Sequence, residues 1–116
     1  MEFIGISRTF STVGEQQYET IGAFWEEMSR SYGRSNLRGL GYHWTDTSIS
    51  YAIGLIDGQI DGASFRMALP DEGWKLVTGR TEFLNQIYSD IYRNGSLKYE
   101  IERFDEEGNC IIAYFR

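Results

Sequence analysis

A single cysteine, a single proline and a single histidine in 116 residues remove several kinds of protein at once. Cys110 has no internal partner, so no disulfide staples this fold, and its neighbours Ile111 and Ile112 mark it as a structural strand residue rather than a reactive thiol. His43 alone would leave a zinc site dependent on Asp, Glu or Cys110 for its other ligands, and no suitable spacing is present. With one proline, 41% hydrophobic residues and 24% charged ones, the chain falls outside the collagen-like and disordered classes. No stretch approaches the roughly 20 apolar residues of a membrane-spanning helix. Met1–Phe10 lacks the basic start and apolar run of a secretory signal, so a cytoplasmic protein is expected. Basic residues are also scarce, 11 against 17 acidic, for a net charge of −6. That balance repels phosphate backbones and anionic lipid head groups, which argues against nucleic acid or membrane as a direct partner.

Familiar catalytic and cofactor motifs are missing too. Ser11, Ser29 and Ser35 sit in no nucleophile elbow. Gly39-Leu40-Gly41 leads into a strand and has no following Lys-Ser/Thr, so it is not a phosphate loop. Asp57-Gly58-Gln59-Ile60-Asp61-Gly62 lacks the ligand set of a calcium loop and reads as a linker. No metal or cofactor is expected.

Aromatic residues, by contrast, are plentiful: three Trp, eight Tyr and seven Phe, 16% of the chain. That is more than a core of this size absorbs, so some rings are expected to line a cavity or a surface. The length suits one domain spanning 1–116. In Tyr18–Tyr32 the residues Ile21, Phe24, Trp25, Met28 and Tyr32 recur at helical spacing, with Gly33 placed to end the helix. Thr81–Arg93 repeats the pattern through Phe83, Leu84, Ile87, Tyr88 and Ile91, with Thr81 as expected N-cap and Asn94-Gly95 as stop. Strands are expected at Phe3–Thr9, Leu40–Trp44, Tyr51–Ile56, Phe65–Leu69, Lys98–Phe104 and Cys110–Phe115. The order is strand, helix, hairpin, twice over, so the sequence predicts two βαββ halves, about 1–57 and 62–116. They would share one mainly antiparallel sheet, with both helices on one face and a groove at the pseudo-two-fold axis. Superposing the halves aligns Trp25 with Tyr88, Tyr42 with Glu102 and Trp44 with Phe104. The α+β class follows.

Three segments carry a resemblance to a known family. Ile21-Gly22-Ala23-Phe24-Trp25, Leu69-Pro70-Asp71-Glu72-Gly73-Trp74 and Tyr99-Glu100-Ile101-Glu102-Arg103-Phe104-Asp105 together resemble the gyrase-inhibitor-like (GyrI-like) small-molecule-binding domains. The resemblance implies a stand-alone relative of the effector-binding domains attached to AraC-type or MerR-type DNA-binding domains. It implies a groove between the halves, lined by aromatic rings around a glutamate that pairs with a cationic drug or dye; Glu102 matches that glutamate. Some stand-alone members of the family are similar to hydrolases of cyclopropane-containing compounds that use a tyrosine with the glutamate. Where the family commonly has a tyrosine after the proline turn, this chain has Trp74, which offers an N–H and no titratable oxygen.

The expected binding residues are therefore Glu102, Tyr42, Trp44, Trp74, Phe104, Trp25 and Tyr88, with Tyr114 a weaker candidate. Glu102 interrupts a β-prone run, and a carboxylate facing an aromatic groove must be paired, protonated or open to a cation. Glu100 shares its face of the strand by alternation. Trp44, Trp74 and Phe104 would supply cation–π contacts, each worth about 0.5–2 kcal/mol. Three functions compete: a module binding an amphipathic cationic small molecule, a small-molecule hydrolase using Glu102 with Tyr42 as acid, and an inhibitory protein-interaction module presenting Glu26-Glu27 and Asp105-Glu106-Glu107.

Overall fold

The structure, a computed structural model, describes residues 1–116. Its elements in chain order are β1 (Glu2–Ser11), α1 (Gln17–Tyr32), β2 (Arg38–Tyr42), β3 (Ser48–Ile56), β4 (Phe65–Ala68), β5 (Lys75–Arg80), α2 (Leu84–Tyr92), β6 (Tyr99–Phe104) and β7 (Asn109–Phe115). Short 3₁₀ turns cover Val13–Glu15, Arg34–Asn36 and Thr81–Phe83. The seven strands form one sheet in the order β4-β1-β3-β2-β6-β7-β5, and every neighbouring pair is antiparallel. The α+β class holds, and no helix is long and apolar enough to cross a membrane.

Both helices lie on the same face of the sheet. Strand alternation sends Tyr51 and Ile53 of β3, Phe104 of β6 and Cys110 of β7 to that face, where they join Phe24, Trp25 and Met28 of α1 in one apolar cluster. Ile112 of β7 joins Tyr88 and Ile91 of α2 in another. Each large side chain buried this way contributes about 1.5–3 kcal/mol relative to exposure. The 3–4 spacing of Phe24, Trp25 and Met28 thus does in space what it predicts in sequence. Gly33 ends α1 with φ of 79°, its N–H donating to the Ser29 carbonyl. At α2 the start differs from expectation: Thr81 makes no capping hydrogen bond, and it opens the 3₁₀ turn that leads into the helix.

The other face carries its own cluster, formed by Phe3, Leu40, Tyr42, Ala52, Leu69 and Ile101, with Trp74 packed against it. Leu69 and Trp74 belong to the connection between β4 and β5, which folds over this side.

Two strand assignments require correction. The run expected as the first strand of a second half, Phe65–Leu69, instead forms β4, a short edge strand paired with Glu2–Gly5 of β1. The strand that precedes α2 is β5, at the opposite edge against β7, and the sequence reading misses it. Lys75, Thr78 and Arg80 interrupt any apolar alternation, and Leu76 is 69% exposed, because an edge strand with one poorly covered face does not need an apolar stripe.

Candidate functional site

Glu100 and Glu102 point from β6 into the space between the two helices, and both are buried, with 4% and 5% exposure. They form the floor of a cavity of about 420 Å³. One wall comes from α1 through Gln17, Tyr18, Ile21 and Trp25, and the other from α2 through Leu84, Tyr88 and Tyr92. Trp44, Ile49, Arg34 and Phe104 line it as well.

Two glycines make the floor possible. Gly39 and Gly41 of β2 pair with Glu102 and Glu100 across the ladder, so their faces match. A Cβ on Gly41 would stand 2.8 Å from Glu100 Oε1, and one on Gly39 would stand 1.9 Å from the Tyr51 hydroxyl. Tyr51 belongs to β3, on the far side of β2 from Glu102, and strand spacing puts β3 and β6 about 10 Å apart. Its ring lies across the bare backbone of β2, and its hydroxyl donates a hydrogen bond to Glu102 Oε1. The indole N–H of Trp25 in turn donates to the Tyr51 oxygen at 2.9 Å. The Tyr92 hydroxyl donates to Glu100 Oε2 at 3.0 Å.

These contacts set the acidities. Burial raises the Glu102 carboxyl above the usual range, an effect opposed by the Tyr51 and Tyr88 hydroxyls and by the charge of Arg34. Glu100 is driven well above that range, first by burial and then by the negative charge of Glu102, with only Tyr92 opposing. Two carboxyls in unequal surroundings are pushed apart, so Glu100 holds its proton to higher pH than Glu102 does. Burial, followed by Glu102, raises the Tyr51 hydroxyl well above an ordinary tyrosine. Neither glutamate takes part in any of the ion pairs of the molecule.

Aromatic contacts surround the carboxyls. Trp25 meets Phe104 edge to face, centroids 5.1 Å apart at 84°, and Tyr88 stacks on Tyr92 at 5.6 Å. The Arg34 guanidinium stands over the Phe104 ring at 4.6 Å. The Tyr88 hydroxyl and Gln17 Oε1 are buried without hydrogen-bond partners; Tyr88 falls short of a well-aligned bond to Glu102 yet lies close enough to pull the pKa of its carboxyl down.

Of the expected site residues, Glu102, Trp25, Trp44, Tyr88 and Phe104 come together in this cavity. Tyr42 and Trp74 do not. The Tyr42 ring lies on the opposite face, stacked on Phe65, with its hydroxyl engaged by Ser7; it cannot serve Glu102 as an acid. Trp74 donates to the Pro70 carbonyl at 2.8 Å and packs on Tyr99 and Phe115 of that same face. Tyr114 packs against the α2 cluster. Nothing in the local sequence singles out Tyr51, Tyr92, Gln17 or Arg34, and Glu100 stands there only as a neighbour of Glu102. For Glu100 the signal was available, since residues two apart on a strand share a face.

Comparison with family models, with curated proteins and with solved structures returns no match.

Proposed function

We propose that this chain is a small-molecule-binding domain of the gyrase-inhibitor-like kind, taking an amphipathic ligand whose cationic group meets Glu102. The observation that carries the reading is a pair of buried carboxyls, without a protein cation in ion-pair contact, on the floor of an aromatic cavity. A buried carboxylate is costly unless paired, and a cation entering over rings gains cation–π attraction as well. The strand order supports the architecture that the resemblance implies. With β4 set aside, β1-β3-β2 on one side mirrors β5-β7-β6 on the other, each three-stranded unit holding one helix between its first two strands in sequence. The pseudo-two-fold axis of such a duplication would run between β2 and β6, beside the strand that carries Glu100 and Glu102.

Calorimetric titration tests the reading with two ligands of one shape, tryptamine and its neutral alcohol analogue tryptophol. Tryptamine binds the wild type more tightly, and Glu102→Gln weakens tryptamine at least about tenfold, as loss of a charge-assisted bond implies, while sparing tryptophol. Equal losses for both ligands would remove Glu102 from cation recognition.

A hydrolase reading is favoured by one specific observation, the hydrogen-bonded pair of Tyr51 and Glu102 facing the cavity. In that reading Tyr51 takes the acid role first expected of Tyr42. Turnover of a strained cyclopropane substrate that falls about 10²- to 10⁴-fold in both Tyr51→Phe and Glu102→Gln, with binding retained, would favour it. Binding without turnover leaves the sequestering role.

A further inference from the structure

Arg34 brings the opposite charge to the same cavity. It opens the 3₁₀ turn after α1, lines the cavity, and places its guanidinium 4.6 Å from the Phe104 centroid and 5.9 Å from that of Trp25. It joins no ion pair and none of the side-chain hydrogen bonds, so its five N–H donors are uncommitted. Arg8 is the useful contrast. It also stands over a ring, Phe24 at 4.3 Å, yet Glu27 grips it through two hydrogen bonds of 2.7 and 3.2 Å. Stacking therefore does not keep an arginine of this protein from taking a carboxylate. Arg34 stacks without one.

We infer that the cavity selects a zwitterion: an apolar body bearing both an amino group, which meets Glu102, and a carboxylate, which meets the fork of Arg34. The inference rests on the proposed function and narrows its ligand class. Three observations converge on it. First, the guanidinium geometry suits bidentate capture of a carboxylate. Second, Arg34 stands over Phe104, which shares a face of β6 with Glu102 two residues away, so the cation and the carboxyl open on the same cavity and can meet two groups of a single ligand. Third, Glu102 and Arg34 bring an acidic and a basic side chain to one cavity. A zwitterion adds no net charge to the buried site, whereas a simple cation adds uncompensated charge. Gln17 Oε1, buried and unpartnered in the α1 wall, offers the amino group a second acceptor.

The test uses three ligands with one indole body: tryptamine, tryptophan and indole-3-propionate, titrated calorimetrically into wild type, Arg34→Gln and Arg34→Lys. In the wild type, tryptophan binds about tenfold or more tighter than either single-charge ligand, the scale expected of a hydrogen-bonded charge pair. Arg34→Gln abolishes that advantage and leaves tryptamine unchanged or tighter. Arg34→Lys restores part of it, because the charge returns without the fork. Tryptamine equalling tryptophan in the wild type, or parallel losses for both in Arg34→Gln, overturns the zwitterion and leaves the proposed function standing. Failure of both amines to bind at millimolar concentration, or indifference of tryptamine to Glu102→Gln, overturns the proposed function and this inference with it.

Discussion

Tyr51 and Glu102 are hydrogen-bonded to each other over a strand that lies between their own. A tyrosine ring bridges two strands in this way only if the middle strand presents no side chain beneath it, and β2 meets that condition with glycine at 39 and 41. Local sequence, local geometry and site chemistry meet at this point: two missing Cβ atoms admit one ring and one carboxyl.

Gly39→Ala tests the steric half of that relationship. Its Cβ would stand 1.9 Å from the Tyr51 oxygen and 2.6 Å from the ring carbon bearing it, so the ring must move. A loss of about 1–3 kcal/mol is expected, the usual cost of overpacking a filled site, measured as a shift in urea midpoint at unchanged slope. An unaffected midpoint would show that Tyr51 has room to retreat.

Tyr51→Phe tests the polar half. It removes the donor to Glu102 and the acceptor of the Trp25 N–H, leaving two buried groups unsatisfied. About 1–3 kcal/mol of destabilisation is expected for such orphaned groups, and the Glu102 carboxyl moves further upward once its strongest hydrogen-bond donor is gone. Carboxyl carbon shifts followed by NMR through a pH titration would report that movement.

Much of this architecture is legible in the residues, for definable reasons. Ile21, Phe24, Trp25 and Met28 declare α1 because a helix on a sheet must present one apolar stripe. Lys98–Phe104 and Cys110–Phe115 declare a hairpin because Asp105–Asn109 supplies the turn, Gly108 at φ 83° included. β5 is illegible because Lys75–Arg80 occupies an edge, where packing makes few demands. The site divides along similar lines. Glu102 stands out because a glutamate within a β-prone run needs an explanation. Tyr51 and Arg34 do not, because their roles depend on contacts with residues about 50 and 70 positions away, across pairings that local pattern does not reveal. Trp74 is misplaced for a related reason: a ring in a loop can reach either face, and here the Pro70 carbonyl holds it on the far one.

Stability of the ligand-free protein is expected to fall as pH rises from the ordinary carboxyl range toward neutrality and above. Glu100 and Glu102 both have native pKa values raised above those of the unfolded chain, so between the unfolded and native values the native state holds more protons. Their protonated forms favour folding at low pH, and that contribution is lost as pH climbs through the native values. Tyr51, Tyr88, Tyr92 and Arg34 face the pair and moderate it. Glu100→Gln, which keeps the shape and discards the titration, should flatten the decline in thermal midpoint. A steeper decline in that variant would assign the pH dependence elsewhere.

Trp74→Phe separates the two faces of the sheet. It removes the indole donor to the Pro70 carbonyl, so a loss of about 0.5–1.5 kcal/mol is expected, the net value of a typical hydrogen bond. Tryptamine affinity should stay unchanged, because Trp74 is not among the residues that line the cavity. A fall in affinity matching that of Trp25→Phe would mean that the two faces communicate.

The Tyr51–Glu102 bond also bears on where the chain can be divided. A cut in the linker Asp57–Gly62 leaves Trp25 and Tyr51 on one fragment and Glu102, Tyr88 and Phe104 on the other. The first fragment would carry a hydroxyl with no recipient and the second a carboxyl with no donor. Strand pairing between β2 and β6 sets the two pieces side by side, but the polar bridge above it makes each an incomplete structure, so the fragments should gain order only when mixed.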